Sequence, residues 1–337
     1  MTHDKRQNPE RIFTIINGYQ LGRALEAAIR LDLFTRLGTA KLTAKELAER
    51  LGTSERGTRI LCDFLCLTDF LEKEGSAYCQ TEESSFFLDR SSDAFMGSIT
   101  EFLLAPQLVD SFKDLDQAVR KGGTIIGPEG TMAPEHPLWI KYARGMAPLA
   151  APAANFMAEI AELSQDRPQR VLDIAAGHGI FGITFAKRYP RAEVYALDWE
   201  PVLNVAEQHA RDSGVRDRFH RISGSAFTVD YGGTYDVVLA TNFFHHFDPS
   251  TCQKLMGRMR EALKPGGKVI TLEFVPDEDR LKPAPAAGFP LIMLATTEHG
   301  DAYTFAEYDA MFQAAGFTQN VFHPVERAPQ DVIVSTV

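Results

Sequence analysis

The 337-residue chain has little of what would tie it to an oxidising compartment, a membrane or a nucleic acid. Its four cysteines, at 62, 66, 79 and 252, are too few and too irregularly spaced for a disulfide framework or a four-ligand zinc site, so no metal is expected. Cys62 and Cys66, four apart on a predicted helix, have neither a second cysteine pair nor a nearby histidine and read as small core residues. The N-terminal MTHDKRQNPE has no apolar segment behind its charges, so no secretory signal is expected and a cytoplasmic location follows. The longest apolar stretch, near Ala147 to Ala161, is broken by Pro148, Pro152 and Asn155 and falls short of the roughly 18 residues that a membrane span wants. Positive charge is also short: 35 Lys and Arg against 45 Asp and Glu leave a net charge of -10, which repels phosphate backbones and anionic membranes. No internal repeat or low-complexity tract breaks the chain.

What is present divides into two patterns. From about residue 11 to 163 the periodicity is helical, with Ile15, Leu21, Leu25 and Ile29 at mostly three- and four-residue spacing. Thr43 ahead of AKELAERLG, with Glu46 three residues on, predicts a capping box, and Gly52 closes that helix. A second helix is predicted from about Ser54 to Phe70, then a short hairpin around Gly75. Helix, turn, helix and hairpin outline a winged helix, a module that can bind DNA. Between Thr43 and Gly75, however, five basic residues face seven acidic ones, which is no electrostatic footprint for it. The apolar Ile60, Leu61, Phe64, Leu65, Leu67 and Phe70 suit burial against another subunit better, and no nucleic-acid partner is expected.

From Arg170 onward strands and helices alternate. VLDIA, AEVYALD, FHRISG, YDVVLAT, KVITLEF, QNVFHPV and DVIVSTV are seven candidate strands, the first five separated by crossovers and the last two close enough for an antiparallel edge pair. The expected fold is α/β, a doubly wound and mostly parallel sheet behind a mainly α front half, with the boundary near SQDRPQR, residues 164–170.

The densest signal is VLDIAAGHGIFG, Val171 to Gly182. An apolar strand ends in Asp173, a turn of small residues lets a ligand approach the main chain, and a helix over about Ile180 to Arg188 aims its N-terminal amides at that ligand. Gly177, Gly179 and Gly182 fit GxGxxG, and Asp198 follows about 20 residues on, at the end of AEVYALD, where ribose hydroxyls are held. The pattern alone fits NAD as well as S-adenosylmethionine. A second constellation follows YDVVLAT: Asp248 with Pro249 starts a helix that Gly266 and Gly267 are expected to stop, which fixes His245 and His246 in a strand-to-helix loop. The turn, Asp198, the two histidines and Glu273 then share the rim at the carboxyl ends of the strands. Adjacent residues point apart in extended chain, so one of the two histidines is expected to face the reaction, with His245 preferred; the alternative is a polar filler beside Phe243, Phe244 and Phe247.

In the order VLDIAAGHG, ALD, GSAF, the HH loop and LKPGGKVITLEF, the chain resembles the class I S-adenosylmethionine-dependent methyltransferases. With the winged-helix front half and the pair Gly145 and Met146, it resembles the two-domain O-methyltransferases of plant and bacterial secondary metabolism. The resemblance implies a flexible N-terminus over 1–10, a winged-helix dimerisation domain over 11–100, a helical linker and substrate-lining region over 101–165 and a catalytic domain over 166–337. It implies a homodimer and S-adenosyl-L-methionine as cofactor. Gly177 and Gly179 would hold its methionine part, Asp198 its ribose, and Ser225, Ala226 and Phe227 of GSAF would lie by its adenine; Asp173, Ala175, Trp199 and Thr241 complete the cofactor set. His245 aligns with the family's catalytic base, His246 with the Asp beside it, and Glu273 with a Glu that hydrogen-bonds the base. Several positions depart from the pattern. Ser225 stands for an Asp, Thr241 for a Lys or Arg, and Ala302 for a second Glu, while Ala175 replaces the first glycine, a swap tolerated if its φ is negative. Trp139, Met146, Phe156, His246, Met293 and Leu294 line either an apolar acceptor pocket or ordinary core.

A methyl acceptor with a phenolic hydroxyl fits this set best. In-line positioning provides on the order of 7 to 11 kcal/mol, and a general base adds ~10²- to 10⁴-fold. A phenol of pKa about 10 is only ~10⁻³ ionised at pH 7, a gap that an imidazole of pKa near 6.5 roughly closes. Three alternatives stay open on sequence grounds: another reaction on the same fold, including C- or N-methylation, a winged-helix sensor of S-adenosylmethionine, and a nicotinamide dehydrogenase.

Overall fold

A computed structural model of the chain describes residues 9–127, 130–326 and 328–337; of the expected flexible N-terminus, residues 1–8 lie outside this range. The chain forms two compact units, the first ending at Thr100 and the second beginning at Glu101.

In the first unit the predicted capping box is present. The Glu46 amide donates to Thr43 Oγ1 at 3.3 Å, and Glu46 Oε2 accepts from the Thr43 amide at 2.8 Å, starting the helix Ala44–Leu51, which Gly52 closes at φ +67°. The next helix, Glu55–Leu67, is capped by Ser54 and ends three residues before Phe70. Its end is local: the Thr68 hydroxyl donates back to the Leu65 carbonyl at 3.2 Å, and Asp69 turns the chain at φ +59°. Strands β1 (Leu42–Thr43), β2 (Leu71–Glu74) and β3 (Ala77–Gln80) form a small sheet in the order β1-β3-β2, with Gly75 in the predicted hairpin turn at φ +60°. Leu33, Phe34, Leu37, Leu47, Leu65 and Tyr78 pack as its core. Outside that core, Ile12, Phe13, Ile15 and Ile16 are each more than 60% exposed and Leu67 is 82% exposed, so these apolar side chains find no cover among the described residues.

The second unit is built on seven strands: β4 (Gln169–Ile174), β5 (Ala192–Asp198), β6 (Phe219–Ser223), β7 (Tyr235–Thr241), β8 (Leu263–Glu273), β9 (Gln319–His323) and β10 (Asp331–Thr336). Their order is β6-β5-β4-β7-β8-β10-β9; the first five are parallel and β10 runs antiparallel to both neighbours. The near-continuous apolar runs follow from burial on both faces. Val237 and Leu239 point into one core, with the helices Ala151–Ile160 and Ile180–Arg188, while Val238 and Ala240 point into the other, with Pro249–Glu261 and Phe305–Ala314. One expected boundary is corrected. The helix begun by Asp248 stops at Glu261, ahead of Gly266 and Gly267, because the Ala262 carbonyl is taken by the Tyr235 amide at 2.8 Å and the chain passes directly into β8. The two glycines instead lie within β8, where its pairing with β7 shifts register between Tyr235 and Val237. Among the described residues no helix is long and apolar enough to cross a membrane.

Candidate active site

The order β5-β4-β7-β8 sets Asp198, Asp173, Thr241 and Glu273 side by side at the carboxyl ends of four neighbouring strands. The left part of this rim is the glycine turn. The Gly177 amide donates to Asp198 Oδ2 at 2.8 Å and the Trp199 amide to Asp198 Oδ1 at 2.7 Å; burial nonetheless pushes the Asp198 carboxyl up to about 6. Asp173 is fully buried and accepts from the Gly182 amide through Oδ2 at 3.0 Å, while its Oδ1 has no partner among the described residues. Burial pushes this carboxyl up to about 8. Gly182 has a packing reason: a Cβ there would stand 2.6 Å from Val194 Cγ1 and 2.9 Å from Asp173 Oδ2. Gly177 has a conformational one, at φ +56°.

Ala175 does not meet its condition. It sits at φ +53°, in the left-handed region that costs an L-residue about 1–2 kcal/mol, because the strand must reverse into the turn at the place where the family carries glycine. Farther along the rim, Ser225 Oγ accepts from the Phe227 amide at 3.3 Å, Ala226 is buried, and the Phe227 ring meets Phe247 edge to face at 5.1 Å. Thr241 is buried at the end of β7. A main chain stripped of side-chain bulk, two carboxylates at strand ends and one buried oxygen without a donor fit a nucleoside-type cofactor.

The right part of the rim is the histidine loop. Glu273, with no solvent exposure, accepts from the Phe243 and Phe244 amides through Oε1 at 2.8 and 2.7 Å, and from His245 Nδ1 through Oε2 at 2.6 Å. A carboxylate only accepts, so His245 carries its proton on Nδ1 and keeps a lone pair on Nε2. The expectation that the two histidines point apart fails, because Phe244–His246 is a turn of 3-10 helix and not extended chain. Their ring centroids lie 4.2 Å apart. His246 is buried, its Nδ1 has no partner among the described residues, and burial, with repulsion from His245 whenever that ring is protonated, holds its pKa well below the usual value, so it is neutral. Ala302 is fully buried in place of a second carboxylate, and aromatic rings take over part of the wall: Phe289 lies 4.7 Å from His245 and stacks on Phe274 at 3.9 Å.

Of the residues expected to line an acceptor pocket, Trp139 is brought to the histidines, its ring edge to face with His246 at 5.3 Å. Met293, buried, and Leu294 lie on the helix Pro290–Thr296, directly after Phe289. Met146 follows the helix Leu138–Gly145 that carries Trp139. Phe156 is not brought to the site; it packs against the core beneath the sheet and meets His323 of β9 at 6.4 Å. Three residues escaped sequence reasoning. Tyr142, Asn242 and His178 all join the rim, and only the helical spacing of Tyr142 after Trp139 signalled one of them.

Comparison with known proteins agrees with this geometry. Residues 138–318 match the model of the O-methyltransferase domain, and residues 13–90 that of the O-methyltransferase dimerisation domain. The chain is 27% identical over 324 residues to the tetracenomycin polyketide synthesis 8-O-methyl transferase of Streptomyces glaucescens, covering 94% of this chain and 93% of that one. A crystal structure from Nostoc punctiforme, described as a candidate O-methyltransferase, superposes with a TM-score of 0.94 at 46% identity, over 98% of this chain and 99% of the other. Human N-acetylserotonin methyltransferase in complex with S-adenosylmethionine, at 22% identity, shares the fold with a TM-score of 0.85 over 100% and 99% of the two chains.

Proposed function

Because the chain belongs to the S-adenosylmethionine-dependent O-methyltransferases, we propose that His245 is the general base that takes the proton from a hydroxyl of a small aromatic acceptor, with Glu273 holding it in place. One observation carries this reading: the 2.6 Å bond from His245 Nδ1 to a fully buried carboxylate, which leaves Nε2 as the ring's only basic atom. The Glu273 carboxylate, held by two amides on Oε1, stabilises the imidazolium that forms as the acceptor oxygen gives up its proton. Bound S-adenosylmethionine supplies an electrophilic methyl carbon on a sulfonium. Asp198 and the amides of the glycine turn would hold it, with Ser225, Ala226, Phe227, Trp199 and Thr241 around its nucleoside end. Trp139, His246, Phe274 and Phe289 offer rings against which an aromatic acceptor stacks, and relatives are named for polyketide 8-O-methylation and acetylserotonin methylation.

The reading includes a homodimer. The dimerisation domain and the exposed Ile12, Phe13, Ile15, Ile16 and Leu67 support pairing through the first unit, the net charge of -10 speaks against nucleic-acid or membrane partners, and the few, irregularly spaced cysteines suit a cytoplasmic enzyme. The domain limits that accompany it are 11–100, 101–165 and 166–337. The test is transfer of a labelled methyl group to a panel of phenols, paired with calorimetry of cofactor binding. His245→Ala is expected to lower kcat by ~10²- to 10⁴-fold while cofactor affinity stays within threefold. Unchanged turnover removes His245 as the base.

A further inference from the structure

Helix Leu138–Gly145 lays one face across both parts of the rim. Trp139 meets His246, and one turn on, Tyr142 reaches the glycine turn: a Cβ on Gly177 would stand 3.0 Å from Tyr142 Cε1, and the Tyr142 ring stacks on His178 at 5.8 Å with an interplanar angle of 16°. Phe102 and Trp139 hold that ring edge to face at 5.2 and 6.1 Å. Tyr142 is half-buried, and a ring used only for packing would serve as well as phenylalanine, so the hydroxyl is the part left to test. Burial drives the Tyr142 phenol pKa up; a hydrogen bond with the Asn242 side chain lowers it in part, and the charges of Glu273, Asp198 and Asp173 raise it again. The hydroxyl therefore keeps its proton, with the Asn242 side chain as its neighbour. Asn242 is itself fixed, at φ +52° directly ahead of that loop, with Oδ1 accepting from Gln330 Nε2 at 3.1 Å.

We propose that Tyr142 is a positioning residue for methyl transfer: its ring backs the cofactor turn at Gly177, on the helix whose Trp139 meets His246, and its hydroxyl helps to hold the reacting groups in line. The proposal rests on the methyltransferase reading above, and it separates ring from hydroxyl. Calorimetry with S-adenosylhomocysteine reads the ring, and steady-state methyl transfer reads the hydroxyl. Tyr142→Phe is expected to bind S-adenosylhomocysteine within threefold of the unaltered protein and to lose tenfold or more in kcat with little change in KM. Tyr142→Ala is expected to lose tenfold or more in affinity as well, and a thermal melt of both variants checks that they fold. Wild-type kcat in Tyr142→Phe, or wild-type affinity in Tyr142→Ala, overturns the proposal. The binding arm needs no acceptor, so it reports on Tyr142 even if the unaltered protein methylates no phenol.

Discussion

Glu273 and Asp173 end parallel strands on the same rim, are equally buried, and differ in how they are satisfied. Glu273 accepts three hydrogen bonds spread over both of its oxygens, whereas Asp173 accepts one and leaves Oδ1 without a donor. Burial pushes the Asp173 carboxyl up to about 8, and at Asp198, with two amide donors, only to about 6. Asp173 is fully buried with one amide donor and Asp198 is half-buried with two, so depth and donor number both favour the higher value at Asp173. Glu273 is satisfied within the protein fold, whereas the cofactor end holds an under-satisfied carboxyl at Asp173 and a left-handed alanine at 175; the histidine end has its own exceptions in His246 Nδ1, without a partner among the described residues, and Asn242 at φ +52°. Strain of this kind persists where the surrounding structure over-determines it and concentrates at ligand sites.

The largest expected effect strikes Glu273. Glu273→Gln puts an amide N–H or a poorer acceptor against His245 Nδ1, so kcat is expected to fall ~10²-fold or more, with about 1–3 kcal/mol of stability lost as the loop amides lose a charged acceptor. Methyl-transfer kinetics and urea unfolding read the two losses, and a variant with full activity would erase the contrast between the ends. Next comes the pH dependence of the cofactor end. Folded Asp173 keeps its proton up to about 8, whereas an ordinary aspartate loses it near 3.8. Between those values the folded state holds more protons than the unfolded one, so stability without cofactor is expected to fall as pH rises from about 4 to 8. Asp173→Asn should flatten that slope in thermal melts, and an unchanged slope would assign the proton elsewhere. The smallest effect is expected from Ala175→Gly, which relieves φ +53° and is predicted to raise stability by about 1 kcal/mol. A lower melting temperature would show that this turn is not strained.

The strands were legible because burial on both faces writes continuous apolar runs into the sequence, and Thr43, Glu46 and Asp248 announced their helices through local capping chemistry. The pairing of His245 with Glu273 was legible only through resemblance, since 28 residues separate them and no spacing rule spans a crossover. What local reading missed was conformational. The histidine loop is a 3-10 turn and not extended, Gly266 and Gly267 serve a strand register and not a helix end, and Phe156 belongs to the core.

By itself the sequence determined the doubly wound sheet, the glycine turn with Asp198 after it, and the loop that carries the histidines, because each of these depends on hydrophobic period, glycine placement or a cap within a few residues. Only the tertiary structure decided which carboxylate is satisfied and which is not, that the two imidazoles stand 4.2 Å apart, and that Tyr142 lies across Gly177. Those facts depend on side chains brought together from distant strands and helices, and free energies of burial and hydrogen bonding are fixed by that company and not by neighbours in the chain.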